Sequence, residues 1–240
     1  MRRLTPPSLT ALIFTVLMSA VLWPSAGAAA PELLAAGDYA RAFESATTAG
    51  DPLTATQAAV AAALYGATSG NSASGSADQG LWLERAVSSG RAAVQAAPQS
   101  ARAHLELGTA LCLQAGRGGF TLGAYRLSRA CRAEYERSLA LDAGLSEARA
   151  ALARWHSGAW ARAGLIGGGD PATARRLAAQ ALREAPQNVR VVVQVATAYL
   201  ELRATSAART LLERSLALSP QDAQDRDLQA GARATLAGLR

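Results

Sequence analysis

The chain has 240 residues, half of them apolar, and a formal net charge of +6, which suits one packed core or one repeat array. All 24 of its basic residues are arginine and none is lysine, so Schiff-base, phosphate-loop and kinase-type lysine chemistry is excluded. Asparagine occurs only at Asn71 and Asn188, and neither opens an Asn-x-Ser/Thr acceptor site.

Arg2 and Arg3 form a short positive head. Leu9 to Trp23 is an almost unbroken apolar run, ended by Pro24 and Ser25, and Ala26-Gly27-Ala28 supplies small residues at a cleavage-like site. This order predicts a signal peptide over 1–28, because the run falls short of the roughly 20 residues that span a bilayer. No cysteine precedes Cys112, so no lipid anchor is expected at the junction. The expected destination is the periplasm or the medium, with no stable membrane span after cleavage. Loss of Arg2 and Arg3 leaves a net charge of +4, too small an excess to argue for nucleic acid.

The rest of the chain repeats. Helix ends are marked by Pro52, Pro98, Pro186 and Pro220, with Ala143 in the place of a missing proline. The last interval is 34 residues, and the others are 46, 45 and 43. In the last unit Val192, Val195, Ala196 and Tyr199 make one helical stripe, followed by Ala208, Leu212, Ser215 and Leu216 on a second helix. Ala196 and Ala208 are a small-on-small pair that lets the two backbones approach. The same register fits His104, Leu107, Gly108 and Leu111 with Cys131, Tyr135 and Ser138. It also fits Arg149, Leu152, Ala153 and His156 with Ala174, Ala178 and Ala181, and Ala58, Ala61, Ala62 and Tyr65 with Ala86, Gly90 and Ala93. Asp38-Tyr39 with Ala42, Ala46 and Ala49 reads as a lone second helix whose partner is lost to the signal peptide. Leu228, Ala232 and Leu236 read as one face of a closing helix.

A 34-residue period with this stripe resembles the tetratricopeptide repeat family. The resemblance implies an all-α fold, a right-handed superhelical array of antiparallel helix pairs. The expected organisation within 29–240 is a partial unit over 31–52, repeats over about 55–98, 101–143, 146–186 and 189–220, and a capping helix over 222–240. The additional residues fall between the two helices of a unit, at Gly66–Gly80, Gly116–Leu127 and Gly158–Gly169. They are expected as loops, the first flexible and the others carrying Phe120, Tyr125, Trp160 and Leu165 toward the array or a partner. The elongated units, the Arg154-Trp155-His156 segment and the closing Pro220-Gln-Asp-Ala-Gln-Asp stretch resemble the regulator of microtubule dynamics family from about Leu81 onward. That resemblance implies a helical-repeat fold and a binding role. Microtubule association does not carry over to a chain with a bacterial-looking export signal.

Chemistry finds little footing. His104 and His156 occupy large-residue positions of first helices and are expected to pack; no His-x-x-x-His, Cys-x-x-Cys or acidic cluster offers a metal site. Gly66-Ala-Thr-Ser-Gly has threonine where a hydrolase has serine, and the Gly-rich runs at 116–119 and 167–169 follow no strand. No cofactor and no catalytic residue is expected, and the chain is read as a non-enzyme. Cys112 and Cys131 either form a disulfide or serve as two small buried side chains, and the sequence leaves both open.

Arginines are the better candidates. Arg117, Arg126, Arg129 and Arg132 lie in an acid-free stretch, and Arg149, Arg154 and Arg162 in another; arginine suits carboxylate and phosphate. In tetratricopeptide arrays the concave groove is lined by first-helix residues that do not face the second helix. Carried over, these are Arg102, Leu105 and Thr109, then Arg154, then Arg190, Val193, Gln194 and Thr197. The Lys/Asn set of the subfamily that clamps C-terminal carboxylates is replaced by Leu105 and Thr109. The first expectation is an exported scaffold that binds a protein or peptide partner in this groove. The alternative is an anionic small molecule, lipid headgroup or envelope polymer on the arginine patch.

Overall fold

A computed structural model describes residues 26–65 and 76–239. The predicted signal peptide lies outside them as far as Ser25. Within the described residues all regular structure is helical, in eleven α-helices and one 3-10 turn. The first two are α1 (Ala26–Ala36) and α2 (Tyr39–Ala49), then α3 (Pro52–Tyr65) and α4 (Ser76–Ala96). These are followed by α5 (Ala101–Arg117) and α6 (Leu122–Leu141), and by α7 (Ser146–Ala163) and α8 (Pro171–Glu184), with the 3-10 turn at Gly164–Gly167 between the last two. The chain closes with α9 (Val189–Glu201), α10 (Thr205–Ala217) and α11 (Ala223–Gly238).

Helix starts are set by short polar side chains that take up the first free amides. Ser100, Thr121, Asp170, Asn188 and Asp222 each accept a backbone N–H from the first turn of the helix they precede. Odd-numbered helices pack on the even-numbered helix that follows, so each unit has a first (A) and a second (B) helix. Successive A helices also touch, from α3 through α5, α7 and α9 to α11. The result is an all-α, tetratricopeptide-like solenoid. Its core runs along the A–B seams through Ala86, Leu107, Leu111, Cys131, Leu152, Val192, Val195, Ala196 and Leu212.

The structure departs from two expectations. The helix Tyr39–Ala49 is not alone: α1 pairs with it, because Ala26–Ala36 is rich in good helix formers. The elongated units are not helix pairs with long loops either. At Gly116–Leu127 the helices themselves lengthen, leaving residues 118–121 as the connection. At Gly158–Gly169 α7 runs on to Ala163 and a 3-10 turn takes up most of the remainder. Residues 66–75 of the first insertion lie outside the described residues, while 76–80 are helical.

The two ends of the solenoid meet. The α11 helix packs against α1 as well as α9 and α10. The Tyr39 hydroxyl donates to the Asp227 carboxylate, and Ala223 joins Tyr39, Ala61 and Ala62 in a small apolar cluster. The Gln229 amide ties α11 to the preceding pair by donating to the carbonyls of Ser215 and Leu218, both at 2.8 Å.

Candidate partner-binding groove

Arg102, Glu147 and Arg190 each occupy the second position of an A helix, and Asp225 the third of α11. Because A helices lie side by side, these charges alternate in sign across the inner face. Arg102 pairs with Glu147 and lies 3.8 Å from Glu106. Glu106 also accepts from Gln57 Nε2 at 3.2 Å, and Glu147 from Asn188 Nδ2 at 3.1 Å. Arg190 pairs with Asp222 and lies 3.1 Å from Asp225. Burial pushes the Glu106 carboxyl up, against the pull of Arg102 and Gln57. Burial acts the same way on Glu147, but Arg102, Asn188 and Arg190 outweigh it and hold that carboxyl below the usual range.

This ladder revises the groove expected from the repeat register. The guanidinium groups of Arg102 and Arg190 are engaged by the chain's own carboxylates, and neither lines the cavity described below. Leu105 is buried and belongs to the core cluster with Ala59, Val60, Ala150 and Ala151 of flanking A helices. Thr109 is half-buried, donates to the Leu105 carbonyl and accepts from the Tyr135 hydroxyl at 3.4 Å. The signal that would have revealed the ladder was the alternation of Arg102, Glu147 and Arg190 at equivalent positions.

The remaining groove residues do come together. Arg154, Val193, Gln194 and Thr197 line one concave cavity of about 220 Å³ with Tyr65, Asp227, Leu228 and Thr235. The Arg154 side chain is 49% exposed and its nearest carboxylate, Glu201, is 3.9 Å away. Glu201 is held in turn by the Ser157 hydroxyl. Burial raises the Tyr65 phenol to about 12, with Asp227 adding to the rise. Of Arg102, Arg154 and Arg190, Arg154 is thus the most exposed and the least closely paired.

Elsewhere the named residues are mostly structural. Cys112 and Cys131 are joined in a disulfide with a Cα–Cα separation of 5.3 Å. Arg132 lies over the Trp155 ring, 5.0 Å from its centre, and pairs with Glu136 at 2.7 Å; it is no free member of a basic patch. Arg117 donates to Gln79 Oε1 at 2.7 Å. Arg126 and Arg129 are exposed and form no ion pair among the described residues. Arg149 is buried, pairs with Glu184 and donates to the Ala143 carbonyl. His104 bonds Glu134 at 2.6 Å and the Pro98 carbonyl at 3.1 Å. His156 accepts the Asp170 amide on Nδ1 at 3.3 Å. Burial pushes the His156 imidazole below its usual range, and Arg132 adds to the push. Among the described residues no group of three or more His, Cys, Asp or Glu side chains converges on a metal-sized site. No helix there is long and apolar enough to cross a membrane.

The helix pairing, the small-on-small seam of Ala196 and Ala208, and the inner face of A helices are the features of one repeat class. Residues 165–236 match the tetratricopeptide repeat family. The match covers the 3-10 turn, α8 to α10 and most of α11, and the upstream pairs repeat the same packing. No curated protein matches the chain. Tetratricopeptide repeats generally mediate contacts between proteins, which is the coarse function the match supports.

Proposed function

We propose that the chain is an exported protein-interaction scaffold that takes a short extended segment of its partner on the inner face of the tetratricopeptide array. The observation that carries this reading is the cavity where Arg154, Val193, Gln194 and Thr197 converge with Tyr65 and Asp227. Its volume suits a few side chains rather than a folded domain. Its walls are mixed: Val193 and Leu228 for an apolar side chain, Arg154 for a carboxylate, Gln194 and Thr197 for peptide hydrogen bonds. The scaffold carries out no chemistry of its own. Export rests on the Arg2-Arg3 head, the apolar run Leu9–Trp23 and the small residues at 26–28.

The test is a photo-cross-linking residue at Gln194 in the full chain, expressed in its native host. One partner captured from Gln194, lost on Arg154→Glu and not captured from a probe at exposed Ala140, is the expected result. Equal capture from both positions, or capture that survives Arg154→Glu, would overturn the reading. Arg102 and Arg190 are unsuitable probes, because their removal strips buried carboxylates of their partners.

A further inference from the structure

Seven large apolar side chains stand exposed among the described residues: Leu64, Leu81, Phe120, Leu122, Tyr125, Leu165 and Ile166. Their distribution is not random. Leu64 is the last residue but one of α3 and Leu81 lies near the start of α4; the other five lie in or beside the connections from α5 to α6 and from α7 to α8. All of these are turns from an A helix to its B helix, and antiparallel pairing puts every such turn on one edge of the solenoid. The opposite edge, where B helices hand over to the next A helix, has none among the described residues.

The two central turns stand level. Trp155 on α7 donates to the Ser128 carbonyl on α6 at 2.8 Å, which fixes the relative height of the helices. Leu122 begins α6 six residues from Ser128, and Ala163 ends α7 eight residues beyond Trp155. At the helical rise these are about 9 and 12 Å, in the same direction. The tips carrying Phe120 and Leu165-Ile166 therefore form one crest. At their summits Phe120, Leu165 and Ile166 are 87%, 84% and 87% exposed, far more than side chains that rest on a core.

The segments that carry the crest are basic. Cys112–Ala133 and Ala148–Gly169 contain no acid. Arg126 and Arg129 on α6 are exposed and make no ion pair among the described residues, and helical side chains lean toward the N-terminus, here toward the crest. Arg162 is exposed too, but its guanidinium folds back over Gly158 toward Glu201. Asp170, the acid that follows, is an ionised carboxylate held in place as the cap of α8 by the amides of Ala172 and Thr173, and it is outnumbered by the arginines. Apolar tips that project beyond a collar of arginine fit an anionic bilayer: the tips enter the acyl boundary while guanidinium groups meet phosphates. A concave protein site would instead place apolar groups in a recess.

We infer that this edge docks the protein on an anionic lipid surface, with Phe120, Leu165 and Ile166 inserted and Arg126 and Arg129 at the headgroups. The inference is independent of the inner cavity, which opens on the concave face. In this arrangement the array stands on the membrane by one edge and leaves the groove free for a partner.

The test places a reporter at the crest of the full chain. Phe120→Trp is mixed with vesicles of equal parts phosphatidylcholine and phosphatidylglycerol brominated on the acyl chains. Tryptophan emission should be quenched beyond the unsubstituted background, whereas an Ala140→Trp reporter at the opposite edge should not. The Arg126→Gln/Arg129→Gln pair should weaken the titration at least tenfold, and molar salt should do the same. No added quenching at Phe120→Trp, equal quenching at Ala140→Trp, or equal response to pure phosphatidylcholine would each overturn the inference. So would a dimer in solution that is lost on Phe120→Ser/Leu165→Ser/Ile166→Ser, which would assign the crest to a second copy.

Discussion

A methyl group at Gly108 would sit 2.7 Å from Cε1 of Tyr135, so the absence of a side chain there is what lets α6 lie against α5. Gly108→Ala is expected to cost about 1–3 kcal/mol through overpacking, read as a lower urea midpoint with an unchanged slope. Ala196→Leu should behave alike, since Ala196 is fully buried on the A–B seam of the last unit. At Gly169 a methyl would meet the His156 carbonyl at 2.3 Å and the Trp160 amide at 2.5 Å. The glycines at 167–169 are therefore a packing requirement as well as a connector. His156 supplies the pH-sensitive contact. Its imidazole is held below the usual histidine range by burial and by Arg132, so the unfolded chain takes up a proton first as pH falls. Stability should be flat above about pH 6.5 and decline below it until the folded imidazole also titrates. This part of the decline should vanish in His156→Asn, monitored by thermal melts across that window.

Element by element, the helices were legible because the apolar stripe fixes their faces. What the 34-residue template obscured was length. Residues beyond the template were placed between helices, and the glycines at 116, 118 and 119 made a loop plausible. In the structure α5 and α6 are 17 and 20 residues long, since Leu, Ala, Arg and Gln around the glycines favour continued helix. Lengthening has a consequence for the disulfide. With α5 and α6 extended side by side, Cys112 and Cys131 meet across the seam with Cα atoms 5.3 Å apart, a normal bridging distance. The 19-residue separation makes the bridge worth about 3 kcal/mol in the chain-entropy account. Cys112→Ser/Cys131→Ser should lower unfolding stability by that order, while circular dichroism of the folded state stays helical.

At the scale of the whole molecule, the part of the site that escaped the sequence is the part contributed by distant chain. Arg154, Val193, Gln194 and Thr197 follow from repeat register alone. Tyr65 and Asp227, which close the same cavity, come from α3 and α11, and no local periodicity says that those helices meet. Repeat rules describe neighbour on neighbour; the contact of α11 with α1 is neither. The closure depends on how α11 is seated on its neighbour α9, which Arg190 secures. Arg190→Ala leaves Asp222 and the buried Asp225 without their cation. The cost should be about 2–3 kcal/mol, below the fully buried case because Arg190 is itself 28% exposed. Small-angle scattering should show a larger radius for this variant. Tyr39→Phe, which removes one hydroxyl donor from Asp227, should change the radius less.

An open solenoid is a spring: each repeat flexes slightly against the next, and the sum lets the coil stretch or tighten around what it holds. Fastening the last helix to the first turns the spring into a clasped bracelet. The Tyr39–Asp227 hydrogen bond and the apolar contact of Ala223 with Tyr39, Ala61 and Ala62 form the clasp, while Arg190 seats α11 on its neighbour α9. A guest that needs a wider bore must first undo it. A guest small enough for the existing bore meets a ring already set to size, and loses little to reshaping its host.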